Sequence, residues 1–490
     1  MTPWKPDIAE LTGPRYLAIA AAIARDVASG VLAEGTQLPT HRDLAEYLGV
    51  TVGTVTRGYA EAERRGLTVG EVGRGTFVRT AAAPRPGFHW PDAARERGTA
   101  GVVDMSLALP WLPPDGEEGR LMATTLAEIA AGERPLDELM VYNPASALRR
   151  HRQVAARWIG TQGIEVDPEQ VIVTSGAQHA IIVILAALLQ PGDTLLTEEL
   201  TYPGVKAVAQ MLGLQLRGVT LDHEGIVPEA LEAACNEQPA RALYLVPTVQ
   251  NPTGVTMSER RRRQVADVAE AHRLLILEDE IHVATRHDPI APIARFAPDS
   301  TLHVTTLCKW ATFGLRVGFV AAPEALVERI RSGVRSSQWM TAPLMVEVAT
   351  RWIDDGTAER LARRKLAELQ ERYRIVDAVL GKGRTERSGL LDRGDSRGPA
   401  GAASAYDVNP NSLHIWLCLP AGVRSDEFVA RARQRGVLVA GAEAFAVGRE
   451  VPAAVRVSIA AVPERAELRR GLEVLAELLS GDLDPCVDIL

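Results

Sequence analysis

The first eighty residues hold three stretches in which apolar positions recur at helical spacing. The first runs from Tyr16 to Val31, and the second, from His41 to Leu48, follows Thr40, a residue type that caps helices. The third begins at Thr51 and continues to about Arg65. Because a tight turn at residues 49–50 contains glycine and joins the last two stretches, the pattern predicts a helix-turn-helix.

Residues 67–78 change to the period of two that is typical of strands. Two short runs of alternating apolar residues flank Gly73-Arg74-Gly75, which predicts a β-hairpin behind the helices. Residues 81–103 are rich in proline, glycine and alanine and then unpatterned, as expected of a linker. The predicted organisation is a small α+β module at residues 1–80, a linker at 81–103, a large domain at 104–482 and a tail at 483–490.

The large domain alternates strand and helix patterns, which predicts an α/β fold with a mostly parallel sheet. Strand-length apolar runs begin at Val171, Leu195, Ala242, Leu274, Thr301 and Val317. Four consecutive arginines, Arg260 to Arg263, follow a predicted helix cap at Ser258, and we interpret them as a solvated helix face.

Composition narrows the class of protein. Of the 490 residues, 46% are apolar and 24% are charged, the balance of an ordinary globular protein. A net charge of −8 gives the whole chain no attraction to nucleic acid, so contact with DNA requires a local patch. Four scattered cysteines without a CxxC pair disfavour a metal site or a disulfide framework. Without a signal peptide, and with Ala180–Leu189 as the longest apolar run, we expect a cytoplasmic protein that does not contact membrane.

Lys309 and Arg316 first suggest a chemical site. Lys309 lies just ahead of the apolar run that begins at Val317, where an amine is costly to desolvate unless it is paired or used covalently. Burial lowers the pKa of a lysine and prepares it for Schiff-base formation, and an arginine nearby can hold a phosphate through its planar fork. The pair is the minimum of a pyridoxal phosphate pocket, although an ordinary surface pair is the alternative for these two residues alone.

Other polar residues follow the predicted strands. Gly176 lies between a strand and a helix start, where free backbone N–H groups can bind phosphate. Tyr202 and Asn251 come after two further strands, and Asp279 ends a fourth. A carboxylate at the end of a buried strand needs a cationic partner, and a pyridinium nitrogen would serve. Because α/β sheets bind ligands at the carboxyl ends of their strands, these residues are expected to form one site.

The N-terminal module resembles the GntR-family winged helix-turn-helix. Three motifs carry the resemblance, in order and at the expected spacing: Leu38–Ala45, Leu48–Arg57 and Gly73–Val78. The resemblance implies that double-stranded DNA is contacted by the first helix, the start of the recognition helix and the wing tip. In this chain those positions are Arg42, Thr51, Thr54, Thr56, Arg57 and Arg74.

The charge of residues 1–80 tests that interpretation. The segment holds nine basic and nine acidic residues, whereas dedicated DNA-binding domains are often basic. Arg42, Arg57 and Arg74 would therefore have to converge on one face. Apolar Val52 stands where many GntR members carry a basic residue, which predicts contact with a thymine methyl group. A helical protein-docking domain is the alternative.

From about Asp104 to Leu479 the chain resembles fold-type I pyridoxal phosphate enzymes of the class I aminotransferase family. Asn251, Asp279, Lys309 and Arg316 carry the resemblance through their order and spacing. It implies that Lys309 forms the Schiff base with pyridoxal 5'-phosphate, that Asp279 pairs with the pyridine nitrogen and that Asn251 hydrogen-bonds the ring 3-oxygen. The other implied roles are phosphate binding by Gly176, Ala177, Gln178, Thr306 and Arg316, ring stacking by Tyr202, phosphate contact by Tyr142 of a partner subunit, and carboxylate binding by Arg456.

Two positions and one segment differ from the family pattern. Residues Ser146 to Arg152 replace a glycine-containing segment. His282 replaces the usual tyrosine beside the 3-oxygen, where a histidine can still donate a hydrogen bond. Cys308 replaces a common serine before the lysine and weakens one phosphate hydrogen bond. These differences are compatible with cofactor binding and leave turnover open.

The two halves together resemble the MocR subfamily of bacterial transcription regulators. The resemblance implies a head-to-tail homodimer that binds a DNA operator and senses a small amino compound by forming an external aldimine, so that differential binding to two domain arrangements changes operator affinity. This interpretation favours a regulator over an enzyme. The alternatives are an active aminotransferase with a DNA-binding domain and a regulator that senses pyridoxal phosphate itself.

Overall fold

A computed structural model gives the structure of the chain. It describes residues 4–6, 14–28, 31–32, 36–64, 67–71, 75–78, 101–132, 136–142, 147–282, 290–381, 411–420, 422–448 and 450–480. The chain divides into two compact units, Met1–Gly87 and Phe88–Leu490. Within the described ranges, no helix is long and apolar enough to cross a membrane.

The N-terminal unit is a winged helix-turn-helix, as the sequence predicts. Its elements are α1 (Arg15–Ala28), α2 (His41–Leu48), α3 (Val52–Arg64), β1 (Thr68–Glu71) and β2 (Gly75–Val78). The side chain of Thr40 caps α2 by accepting a hydrogen bond from the backbone of Asp43, and Gly49 ends the helix with a φ of 63°. Strands β1 and β2 pair antiparallel and form the wing.

Close packing of α1 on α3 explains one glycine of the recognition helix. A Cβ on Gly58 would lie 2.9 Å from the side chain of Ile19, closer than real Cβ contacts allow. The absence of a side chain therefore lets the two helices approach each other. Around this crossing, Ile19, Ile23, Leu44 and Val55 are buried in one apolar core.

The large unit contains twelve helices and fourteen strands in its described residues. The helices are α4 (Glu117–Ala131), α5 (Asp137–Met140), α6 (Arg149–Gly160), α7 (Ala177–Leu188), α8 (Pro203–Met211), α9 (Pro228–Glu237), α10 (Glu259–Ala271), α11 (Glu324–Gln338), α12 (Pro343–Asp354), α13 (Thr357–Leu380), α14 (Ser425–Gln434) and α15 (Arg465–Ser480). The strands are β3 (Val103–Asp104), β4 (Val171–Thr174), β5 (Thr194–Glu198), β6 (Gln215–Val219), β7 (Leu221–Asp222), β8 (Gly225–Ile226), β9 (Ala242–Leu245), β10 (Leu275–Asp279), β11 (Thr301–Thr306), β12 (Gly318–Ala321), β13 (His414–Cys418), β14 (Val437–Leu438), β15 (Ala440–Gly441) and β16 (Ala454–Ser458).

A seven-stranded sheet forms the centre of the large unit, with the strand order β4-β12-β11-β10-β9-β5-β6. Every neighbouring pair is parallel except those of β12, which runs antiparallel to both β11 and β4. Apolar side chains pack on both faces of this sheet. The predicted α/β class is confirmed, and the carboxyl ends of the parallel strands lie at one edge.

The C-terminal part adds a three-stranded antiparallel sheet with the order β13-β16-β15. On one face, residues such as Ile415 and Val457 join an apolar core with α13 and α15. In the register of β13 with β16, Trp416 lies opposite Arg456. The other face therefore presents Arg456, which lies in the candidate site. Nearby, Val103 of β3 pairs with Val437 of β14.

The interpretation of Arg260–Arg263 as a solvated helix face is wrong for two of the four arginines. Arg262 is fully buried, and its Nη1 donates to Oε1 of the equally buried Glu280 at 2.7 Å. Arg261 is also buried and pairs with both carboxylate oxygens of Asp222, at 3.0 and 2.8 Å. Helical periodicity turns these two arginines toward the protein, where tertiary packing supplies carboxylates that the local sequence does not show.

We expect Arg262→Ala to destabilise the protein by about 3–5 kcal/mol, because it leaves the Glu280 carboxylate buried and unpaired. The matched control is Arg260→Ala, which removes an exposed pairing with Glu224 and should cost at most about 1 kcal/mol. Urea unfolding of the full-length protein followed by tryptophan fluorescence measures both. Equal midpoints for the two variants would contradict the assignment of Arg262 as a buried partner.

Candidate functional site

The predicted site residues meet at the edge of the sheet where the parallel strands end. Gly176 follows β4, Tyr202 follows β5, Asn251 follows β9 and Lys309 follows β11. Asp279 is the last residue of β10. Because β12 runs in the opposite direction, Arg316, which precedes it, also lies at this edge. The topology therefore gathers residues that are up to 140 positions apart in the chain.

Lys309 is largely enclosed. Its Nζ donates to the backbone carbonyl of Ala108 at 2.6 Å, so the lysine points toward the segment after β3. Burial, together with the nearby Arg456 guanidinium, lowers the pKa of Lys309 to about 8. A lysine with this pKa is partly in the neutral amine form near neutral pH, which is the form that attacks a carbonyl.

Asp279 is a buried carboxylate with one oxygen satisfied and one open. The hydroxyl of Tyr244 donates to its Oδ2 at 2.7 Å. Its Oδ1 is buried and has no hydrogen-bond partner among the described residues. Burial raises the pKa of Asp279 to about 6, although the Tyr244 hydrogen bond opposes that rise. A protonated ring nitrogen placed at Oδ1 would supply both the missing hydrogen bond and the missing positive charge.

Arg456 connects three parts of the site. Its Nη1 donates to Oδ1 of Asn251 at 2.8 Å, and its Nη2 donates to the carbonyl of Ser106 at 2.6 Å. The guanidinium carbon lies 4.8 Å from the ring centroid of Phe445. Burial lowers the pKa of Arg456 to about 10, so the group stays a cation at neutral pH. A buried cation held in this way is suited to bind a carboxylate.

The turn after β4 has the shape of an anion cradle. Gly176 has a φ of 84°, which favours glycine, and a Cβ there would lie 2.9 Å from Nη2 of Arg316. Ala177 and Gln178 then begin α7, whose first backbone N–H groups are free to bind phosphate. Arg316 is exposed, and its Nη2 donates to the carbonyl of Ser175 at 3.4 Å.

Two predicted phosphate contacts have other neighbours in this structure. The Thr306 hydroxyl donates to the carbonyl of Val317 at 2.7 Å and accepts a hydrogen bond from the backbone of Cys308 at 3.1 Å. Its hydrogen is thus already in use, so a phosphate would compete for it. Gln178 donates to the carbonyl of Gly204 at 3.3 Å and keeps a buried oxygen without a hydrogen-bond partner in the described chain. Both roles stay predictions.

His282 and Tyr202 complete the predicted ring contacts. His282 is buried, its pKa is lowered to about 3 by burial and by Lys309, and its Nδ1 makes no hydrogen bond with a described residue. The imidazole is therefore neutral and can donate or accept beside the ring 3-oxygen. Burial raises the pKa of Tyr202 to about 12, so its hydroxyl stays protonated. Its predicted stacking on the ring stays a prediction.

Tyr142 lies apart from these groups. Its side chain is 44% exposed and meets the Trp339 ring edge-on, with 5.4 Å between the ring centroids. An exposed tyrosine is what the predicted contact with a partner's phosphate requires. The contact itself stays a prediction.

The residues present fit pyridoxal phosphate on three counts. Asp279 offers an open carboxylate oxygen, Gly176 and Arg316 form a cradle that a side chain at Gly176 would fill, and Lys309 has a lowered pKa. When bound, the cofactor supplies an aldehyde that condenses with primary amines and a ring that withdraws electrons. The protein residues hold it and control access to it.

Sequence reasoning missed several residues of the site. Tyr244 lies in β9 and could have been noticed as a phenol in an otherwise aliphatic strand. Ser106 and Ala108 contribute only backbone carbonyls, which leave no signal in a sequence. Phe445 reaches Arg456 from a segment 11 residues upstream that showed no motif.

The predicted DNA contacts lie on the helix-turn-helix. Arg42, Thr51, Thr56 and Arg57 are exposed, and Thr54 is half-buried. The hydroxyls of Thr51 and Thr54 lie 2.9 Å apart at the start of α3. Arg74 lies outside the described residues. These contacts with DNA stay predictions at the level of single residues.

Two side chains of the recognition helix already contact their own unit. The Arg57 guanidinium stacks on the ring of Tyr16, with 4.4 Å to its centroid. The Thr56 hydroxyl lies 3.1 Å from Nδ1 of His41. These contacts hold the side chains near the surface of the unit. Val52 is exposed, as a contact with a thymine methyl group would require.

Comparison with known proteins identifies both units. Residues 120–475 match the family "Aminotransferase class I and II", and residues 15–78 match "Bacterial regulatory proteins, gntR family". An uncharacterized HTH-type transcriptional regulator of Bacillus subtilis, YdeF, is 30% identical over 477 residues, covering 97% of this chain and 96% of that protein. The pyridoxine biosynthesis transcriptional regulator PdxR of Corynebacterium glutamicum is 28% identical over 365 residues, covering 73% of this chain and 77% of its own.

The fold agrees with these matches. A kynurenine aminotransferase of Pyrococcus horikoshii, solved in complex with PMP, superposes with a TM-score of 0.68 at 23% identity, over 79% of this chain and 93% of that one. The two family matches and the similarity to transcription regulators show a regulator in which a GntR-type DNA-binding domain is fused to a pyridoxal phosphate domain. The chain belongs to the aminotransferase class I and II family and carries the domain combination of the MocR subfamily. The predictions of fold, family and cofactor are confirmed.

We expect the rate at which the protein captures pyridoxal 5'-phosphate to rise with pH and to pass its midpoint near 8, because the amine of Lys309 must lose its proton first. Arg456 lowers the pKa of Lys309, so Arg456→Gln should move the midpoint to higher pH. Stopped-flow absorbance across the pH range measures the rate. Arg374→Gln, on an exposed surface, is the control, and an unmoved midpoint in Arg456→Gln would contradict the predicted coupling.

Proposed function

We propose that this protein senses a small amino compound at Lys309 and converts its binding into a change of affinity for a DNA operator. The observation that carries the proposal is a pair of hydrogen bonds: Lys309 donates to the carbonyl of Ala108, and Arg456 donates to the carbonyl of Ser106. The amine and the guanidinium are held by two carbonyls of one short segment. An amino compound with a carboxylate would reach both groups at once, with its amino group at the position of Lys309 and its carboxylate at Arg456.

The protein residues define what such a compound must offer. Its amino group replaces Lys309 at the cofactor, which requires a primary amine. Its carboxylate competes with Asn251 and Ser106 for the Arg456 guanidinium, because both already accept hydrogen bonds from it. Binding therefore loosens Arg456 from Ser106, and the Lys309 amine that leaves the cofactor is free to donate to the carbonyl of Ala108. The segment of residues 106–108 thus loses its hydrogen bond to Arg456 and gains one to Lys309 when the compound enters.

In this proposal, that segment carries the signal. Met105 and Val103 pair with residues 436–438 through backbone hydrogen bonds of 2.8 Å, so the segment continues directly from β3. On its N-terminal side, the chain leads back through residues 79–100 to the DNA-binding unit. A ligand changes an equilibrium only by its differential affinity for two states, and the hydrogen bonds of Lys309 and Arg456 that change on binding supply such a difference.

The proposal includes a homodimer. Several large apolar residues of the large unit are exposed, and seven of them form what we call the apolar rim: Leu136, Met140, Val141, Tyr142, Phe313, Trp339 and Leu344. Contacts of α12 with α5 and with the turn at Phe313–Leu315 join these residues into one region. Apolar surface of this kind is commonly covered by a partner. Phe313 also stacks under Arg316, with 5.1 Å from the guanidinium carbon to its ring, so the rim borders the phosphate cradle.

A second copy covering the rim would bring its own Tyr142 to that cradle. This arrangement agrees with the exposure of Tyr142 and supports its predicted role at the partner's phosphate. The two DNA-binding units of a dimer would then read two half-sites of an operator.

We expect an effective amino compound to change operator affinity by about 5- to 150-fold, the usual range of allosteric coupling. The measurement is fluorescence anisotropy with an operator fragment selected by the protein from random duplex DNA, repeated across a panel of amino acids. Lys309→Ala should bind the same fragment without any response to the panel. Asp377→Asn, a substitution on α13 outside the candidate site, is the matched control and should respond as the natural protein does.

The outcome also separates two other functions. The almost complete cofactor site favours an active aminotransferase as the second candidate, and steady-state conversion of an amino donor and a 2-oxo acid above the Lys309→Ala background would support it. A regulator that senses pyridoxal phosphate itself would instead lose cofactor-dependent DNA binding in Lys309→Ala with no amino compound present. If no amino acid changes operator affinity in the natural protein, the proposed function is wrong.

We expect Arg42→Ala to weaken binding to specific and unrelated duplexes alike, because an exposed arginine at the start of α2 is placed to contact a phosphate. The slope of log affinity against log salt should fall in magnitude by about 1. Anisotropy titrations at several salt concentrations measure it. Arg363→Ala, exposed on the large unit, should leave the slope unchanged; a loss of affinity in Arg42→Ala confined to the selected fragment would instead indicate base contact.

A further inference from the structure

Trp339 has a backbone conformation that bulky residues rarely adopt. It follows the last residue of α11 with φ 65° and ψ −59°. For a tryptophan this conformation is strained, because positive φ values suit glycine and, to a lesser extent, asparagine. The side chain gains little within its own chain in return, since it is 69% exposed. Backbone strain that packing does not explain is found at functional sites more often than elsewhere.

The chain on either side of Trp339 is fixed firmly enough to maintain that strain. The Ser175 hydroxyl donates to Oε1 of Gln338 at 2.9 Å, and Nε2 of Gln338 lies 3.2 Å from Nδ1 of His179. Beyond the tryptophan, the Thr341 hydroxyl donates to the carbonyl of Val173 at 3.2 Å. The turn is thus tied to β4 and to the start of α7, the same elements that form the phosphate cradle.

Trp339 and Tyr142 form an aromatic pair at the surface. Their planes are inclined by 81° and their ring centroids are 5.4 Å apart, the edge-to-face geometry that aromatic rings prefer. Both belong to the apolar rim. If Tyr142 enters the partner's site, as the proposed function states, Trp339 lies next to that site through its contact with the Tyr142 ring.

We propose that Trp339 forms a wall of the effector pocket in the partner protomer and that this wall selects amino compounds with a flat apolar side chain. The inference rests on the proposed function. Once the amino group is at Lys309 and the carboxylate at Arg456, the side chain is the remaining part of an amino acid to be recognised. An exposed indole beside a phenol offers it a large apolar surface, whereas the negative face of each ring repels a second carboxylate.

The first test compares two probes, L-phenylalanine and L-glutamate, on the full-length protein loaded with pyridoxal 5'-phosphate. Binding is followed by the visible absorbance of the cofactor. We expect the natural protein to bind L-phenylalanine more tightly. Trp339→Ala should weaken the affinity for L-phenylalanine roughly three- to tenfold, the effect of losing one aromatic contact. It should change the affinity for L-glutamate less than about twofold. Trp339→Phe should retain most of the selectivity.

The matched control is Leu344→Ala, which removes another residue of the apolar rim outside the aromatic pair. It should leave the ratio of the two affinities unchanged, and size-exclusion chromatography with light scattering should show the same oligomer for all variants. Equal weakening of both amino acids by Trp339→Ala, or tighter binding of L-glutamate by the natural protein, would overturn the proposed selectivity. A protein that binds no amino acid would instead contradict the proposed function.

A mixed dimer tests whether Trp339 acts in the partner. In a dimer of one Lys309→Ala protomer with one Trp339→Ala protomer, the intact Lys309 belongs to the protomer that lacks Trp339. If the wall comes from the partner, that site receives an intact Trp339 and should bind L-phenylalanine as the natural protein does. If Trp339 serves its own protomer, the same site should bind as weakly as the Trp339→Ala homodimer, and the assignment across the interface is wrong.

Discussion

The burial of charge at one edge of the central sheet is the constraint on which the candidate site depends. Asp279, Arg456 and Lys309 are all removed from water there, and each is costly to bury unless a partner compensates. Tyr244 and Asn251 supply part of the compensation, and one oxygen of Asp279 is left for a cationic ring nitrogen. The site is therefore incomplete in a way that specifies its cofactor by charge and by hydrogen bonding.

The same constraint extends behind the site. Glu280 follows Asp279 in the chain and is equally buried, and Arg262 neutralises it from α10. Without that pairing, two adjacent carboxylates would repel each other at the end of β10. A residue that resembled a solvated surface arginine is thus part of the support of the cofactor site. The role of Arg262 follows from its place on the face of α10 that is turned toward the protein interior.

The residues that would hold the two ends of a ligand could serve either a regulator or an enzyme. Lys309 and Arg456 are each tied to a carbonyl of the segment after β3, so a ligand that takes both groups changes the restraint on that segment. An enzyme needs the same groups, and the site chemistry alone does not distinguish the two uses. The N-terminal GntR-type unit and the similarity to transcription regulators decide in favour of regulation.

The sequence by itself determined the two folds, their order and the identity of the cofactor, because helix caps, strand periods and motif spacing are local properties. It also determined that Asn251, Asp279 and Lys309 belong together, since parallel strands place their carboxyl ends at one edge. Only the tertiary structure decided that Tyr244 and two backbone carbonyls complete the site, that Arg261 and Arg262 are buried, and that Trp339 is strained and exposed. Those facts depend on contacts between segments that are distant in the sequence, and local residue periodicity does not reveal such contacts.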